Sequence, residues 1–145
     1  MYHTQTACLK QPSGNDMQVD AKALQTMKKC LVQDFKHRLQ LFGSEAQARE
    51  EAAQHVQNKL LFPIVAKEEE INSANTFMRV QAICEAAYQT RIPVSLYALW
   101  YVQHQAEQSG AWELVDYMQQ QSKKFKKVHI WFKMPFSHFC WLPKR

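Results

Sequence analysis

Ala111-Trp-Glu-Leu-Val-Asp-Tyr-Met-Gln-Gln-Gln-Ser-Lys-Lys-Phe-Lys-Lys-Val-His-Ile-Trp-Phe-Lys133 is the stretch on which the fold turns. Its first part sets Leu114, Val115, Met118 and Phe125 at helical steps, which predicts a helix from Ala111 to about Phe125. Lys123, Lys124, Lys126 and Lys127 then fall where cations suit the negative end of the helix dipole. After Lys127 the period changes to 2. Val128, Ile130 and Phe132 alternate with His129, Trp131 and Lys133, which predicts a short strand. Met134-Pro135-Phe136-Ser137 can turn the chain, and His138 to Leu142 reads as a second strand. A lone hairpin is marginal in water, so this one must pack on the helices or pair with another copy or a partner.

Upstream, the periodicity is helical throughout. Asn15 or Asp16 caps a first helix with Met17, Leu24, Met27, Leu31, Phe35, Leu39 and Phe42 on one face, ended by Gly43. Ser44 and Gln47 form a capping box for a second, with Ala53, Val56 and Leu60 inward and Pro63 stopping it at about Phe62. Asn72 or Ser73 caps a third, carrying Phe77, Val80, Cys84, Ala87 and Tyr88. Ser95 caps a fourth, closed by Gly110, whose first turns are apolar nearly all round; such a helix is buried centrally or docks on a partner. The expected fold is mainly α, a compact bundle of about five helices with a short C-terminal β-strand or β-hairpin. Residues 1–15 read as a flexible lead-in, 16–127 as the helical domain, and 128–145 as a basic, aromatic, β-like segment packed on the domain or on a partner.

The whole excess of positive charge lies at one end. Up to Ser122 there are 11 basic and 13 acidic residues; from Lys123 to Arg145 there are 7 basic and no acidic ones. A one-signed block of this kind points to a polyanion or an acidic protein surface. The three glycines, Gly14, Gly43 and Gly110, are scattered. That excludes a phosphate-binding loop, a dinucleotide fingerprint and a nucleophile elbow, all of which need clustered glycine. Cys8, Cys30, Cys84 and Cys140 show no Cys-x-x-Cys spacing and read as reduced thiols of a cytoplasmic protein. No secretory signal opens the chain and no apolar run is long enough to span a bilayer.

The basic block is interleaved with rings, and phosphates need cations while unstacked bases need flat faces. The expected nucleic-acid contacts are therefore Lys123, Lys124, Lys126, Lys127, Lys133, Lys144 and Arg145, with His129 and Trp131 stacking. Trp100, Tyr101, Trp112 and Tyr117 cluster around Gly110 in sequence and are the expected interface for a partner or a homodimer. A helix-turn-helix around Pro93 is disfavoured, because its second helix opens with Leu96, Tyr97, Leu99 and Trp100 in place of base-reading side chains; a buried helical hairpin fits better. His129, His138 and Cys140, with Cys30 or Cys84, fall short of a closed zinc set, so no metal is expected. Cys84 beside Glu85 lacks a close cation to activate it. The sequence thus favours a non-catalytic binding protein without cofactor that contacts DNA or RNA through its basic end. The alternative is an adaptor or inhibitor that docks on a partner protein or self-assembles through the aromatic helices and the C-terminal strand.

Overall fold

Leu24, Met27, Leu31, Val32 and Phe35 recur at helical steps and are buried, which draws the chain into helix α1 (Ala21–Leu39). The computed structural model describes the backbone of residues 21–133 and, within it, all side chains except those of Glu68 and residues 130–133. The predicted start of α1 lies outside the described residues. Its end falls earlier than expected. Gln40 N–H bonds to His37 O at 3.0 Å and Leu41 N–H to Arg38 O at 3.1 Å, so the last turn tightens and closes before Gly43. Gly43 is therefore not the cap: it is exposed and does not take positive φ.

Helix α2 (Glu45–His55) starts where predicted, with Ser44 Oγ accepting from Gln47 N–H at 3.2 Å. It buries only alanines, Ala48, Ala52 and Ala53, which lets it approach α1 closely. It then runs directly into a π turn (Val56–Leu61) and a short α3 (Phe62–Val65). Pro63 does not stop the rod, contrary to expectation. Phe62 N–H reaches back five residues to Gln57 O, and the wider turn accommodates a ring that would clash in a regular helix.

One turn, α4 (Glu68–Ile71), leads to α5 (Ala74–Gln89). Ser73 Oγ accepts from Thr76 N–H at 3.1 Å, while Ser73 and Thr76 hydroxyls donate to Glu70 O at 2.8 and 2.7 Å. Met78, Val80, Ala82, Ile83, Cys84, Ala86 and Ala87 are all buried, so α5 is the central helix. It packs along α1. A partly exposed Lys28–Glu85 pair at 3.4 Å crosses that seam and contributes under about 1 kcal/mol. After α5, Arg91 adopts φ 59°, with Ile92 N–H on Ala87 O at 2.9 Å and Arg91 N–H on Tyr88 O at 3.1 Å. This is the helix-ending turn usually given to glycine.

Ser95 caps α6 (Leu96–Gln108), its Oγ accepting from Ala98 N–H at 3.0 Å. Gly110, at φ 74°, reverses the chain, with Ala111 N–H on Ala106 O at 2.9 Å. Helix α7 (Trp112–Lys133) then packs back along α6 as an antiparallel hairpin. Edge-on ring pairs Phe77–Tyr117 and Tyr88–Phe125, at 5.5 and 5.8 Å, join α7 to α5. The two pairs α1–α5 and α6–α7 are tied together further by the rod of α2, π turn and α3, which touches α1, α5 and α6.

The largest correction concerns the predicted strand at Val128. No strand occurs among the described residues, and the chain stays helical through Lys133. Leu114, Met118, Gln121, Phe125 and Val128 are buried at alternating steps of four and three, one unbroken stripe. Another helical turn buries Val128 on the core, and this outweighs the β tendency of residues 128–132. The segment His138 to Leu142 lies outside the described residues.

Candidate nucleic-acid interface

Phe125 and Val128 are fully buried, so the residues between and beside them on α7 must face outward. Lys123, Lys124, Lys126 and Lys127 are all exposed. Among the described residues none of the four has a carboxylate within ion-pair distance. Lys124 Nζ lies 5.5 Å over the Tyr88 ring, which itself meets Phe125 edge-on; the ammonium is steadied and its positive charge stays uncompensated. Four like charges within five residues of an exposed helix face repel each other unless an anion comes between them.

His129 fixes where this cluster sits. Its Nε2 donates to Val94 O at 2.6 Å, just ahead of the Ser95 cap. The lysine end of α7 is thereby locked beside the start of α6. That start carries large exposed side chains: Tyr97 is 61 % exposed, Trp100 49 % and Leu96 36 %. Tyr97 and Trp100 have ring centres 5.9 Å apart, and Trp100 stacks on His104 at 5.0 Å with planes 11° apart. The result is a row of three rings on the outer surface of α6 at i, i+3 and i+7. The first turn of α6 is therefore not part of a buried hairpin, as the sequence suggests.

The four residues expected to form one interface separate into four environments. Trp100 belongs to the exposed row. Tyr101 is half-buried, edge-on to Phe62 at 4.9 Å. Tyr117 is partly buried, packed on Phe77, and its hydroxyl donates to Gln81 O at 3.4 Å; burial raises its phenol pKa and Cys84 adds to the rise. Trp112, 63 % exposed, stands at the opposite end of the hairpin from the lysines. The backbone of Trp131 and Lys133 is helical, and Lys144, Arg145, His138 and Cys140 lie outside the described residues.

The cysteines also depart from expectation. Cys30 is disulfide-bonded, so the chain is not uniformly reduced. Cys84 is free and buried, and burial pushes its thiol pKa up to about 12, with Glu85 adding to the effect. At neutral pH it is an inert thiol. Among the described residues no group of three or more His, Cys, Asp or Glu could hold a metal ion. No described helix is long and apolar enough to cross a membrane.

No family model, curated protein or solved structure matches the chain.

Proposed function

We propose that this chain is a nucleic-acid-binding protein that holds single-stranded DNA or RNA at the joined ends of α6 and α7. Lys123, Lys124, Lys126 and Lys127 contact successive phosphates, and Tyr97 and Trp100 stack unpaired bases. The observation that supports the reading is the His129–Val94 hydrogen bond, which ties the lysine-bearing end of α7 to the start of α6, where Tyr97 and Trp100 are exposed. Single strands are favoured over duplex because stacking needs bases free to leave their neighbours. His129 acts here as the tie that positions the surface, since its ring is already engaged with Val94 O.

A labelled single-stranded oligonucleotide, titrated with full-length protein at several salt concentrations, tests the reading. Neutralising four phosphates gives a log–log slope of about −3 for a single strand. Replacing all four lysines by Ala should abolish most of that slope; an unchanged slope removes these lysines from the site. A second reading draws on the same exposed Leu96, Tyr97 and Trp100 as a docking patch for an acidic partner protein. It predicts that the oligonucleotide does not bind even at low salt.

A further inference from the structure

A second site lies away from the lysine surface, where the end of α1 faces α2 and the π turn. Arg38, Phe42, Glu51, His55, Asn58 and Lys59 line a cleft of about 340 Å³ there, at the small end of the range of roughly 300–1,000 Å³ for ligand sites. His55 Nε2 is buried and has no hydrogen-bond partner among the described residues. A buried polar atom without a protein partner is uncommon in a folded chain, and this one lines a cleft where a ligand atom can reach it. His55 also immediately precedes the π turn that accommodates Pro63, a form found frequently at functional sites.

The charges around the ring indicate the occupant. Burial, and then Arg38, hold the His55 pKa down at about 4, with Lys59 acting in the same direction and Asp34 opposing. The imidazole is therefore neutral at pH 7, and in its Nε2–H tautomer this nitrogen can donate to a ligand in the cleft. Arg38 is held by Asp34 at 3.1 Å, while Lys59 is exposed at the mouth. Glu51 also lines the cleft, yet it is solvent-exposed and is not among the groups that shift His55. Phe42, 37 % exposed, supplies an apolar wall.

We propose that this cleft binds a small organic carboxylate with an apolar body, its carboxylate accepting from His55 Nε2 and facing Arg38 and Lys59, its body lying on Phe42. The site is separate from the α6–α7 surface, so the two assignments stand or fall independently.

Titration of isotope-labelled full-length protein with benzoate, followed by NMR, tests it, with benzyl alcohol as the neutral control. Saturable shifts should centre on Phe42, Ala52, His55 and Lys59. Bound benzoate should raise the His55 pKa, because an adjacent anion favours the imidazolium. Benzyl alcohol should bind about tenfold more weakly, since it forgoes the charge-assisted bonds. Lys59→Gln, a surface change that leaves the core untouched, should weaken benzoate by about threefold, and His55→Gln by about tenfold. Absence of saturation, equal binding of the alcohol, a His55 pKa unmoved at saturation, or unchanged affinity in Lys59→Gln would each overturn the assignment.

Discussion

Helices α5 and α6 are built to the same plan and put to different uses. Each begins at a serine whose hydroxyl accepts the third amide of the helix, Ser73 and Ser95. Each ends in the same left-handed turn, at Arg91 and at Gly110. Both are rich in apolar residues. Yet α5 buries Met78, Val80, Ile83 and Cys84 among its neighbours, while α6 leaves Leu96, Tyr97 and Trp100 to solvent. The difference teaches that apolar content does not separate a core helix from a contact helix. What separates them is how many sides have neighbours: α5 touches α1, the π turn and α7, whereas the outer side of α6 faces none of the described elements.

The sharpest way to break this comparison is to truncate one residue in each helix. Ile83→Ala leaves a hole at a fully buried position and should cost about 2–5 kcal/mol in denaturant unfolding. Trp100→Ala should change stability by no more than about 0.5 kcal/mol, as surface substitutions do. The same Trp100→Ala should weaken single-strand binding by about 1–3 kcal/mol, the usual contribution of one stacked base. A destabilisation by Trp100→Ala comparable to that of Ile83→Ala would show that the two helices are alike after all.

The two turns give a smaller, opposite pair. Gly110→Ala puts a side chain on a positive-φ residue and should destabilise by about 1 kcal/mol. Arg91→Gly relieves the corresponding strain and should stabilise by up to about 1 kcal/mol, less whatever Arg91 side-chain contacts contribute. Equal signs in thermal melts would contradict the shared geometry. A further effect is on pH dependence. His55 has a folded pKa lowered to about 4 from 6.5, so the unfolded chain binds more protons between those values. Its contribution is thus fully present above pH 6.5 and is lost as pH falls toward 4. Because the group is only partly buried, the slope should be shallow, and His55→Gln should flatten it further in unfolding curves at pH 7, 6 and 5.

Much of the helical frame was legible. Ser44, Ser73 and Ser95 stand at helix starts, and Gly110 at a reversal, because cap and turn chemistry is local. What escaped depends on contacts distant in sequence. Arg91 occupies a glycine-type turn that no residue type announces. Pro63 reads as a stop because the π turn that admits it leaves no simple sequence sign. The continuation of α7 was masked by the alternation of apolar and polar residues after Lys127. The exposed lysines were legible as charge, but that their end of α7 lies at the start of α6 depends on His129 reaching Val94, 35 residues away in sequence. His55 gave no signal at all, since the cleft around it is closed by the end of α1, distant in sequence.

The central claim is that the basic end of α7 and the ring row of α6 act as one surface. The most direct test is fluorescence anisotropy of a labelled single-stranded oligonucleotide across a salt series, comparing the natural chain, the four-lysine alanine variant and Trp100→Ala. The account predicts a log–log slope of about −3 for the natural chain, close to zero for the lysine variant, and unchanged slope with reduced affinity for Trp100→Ala. Binding that is independent of salt, or that survives loss of all four lysines, would contradict it.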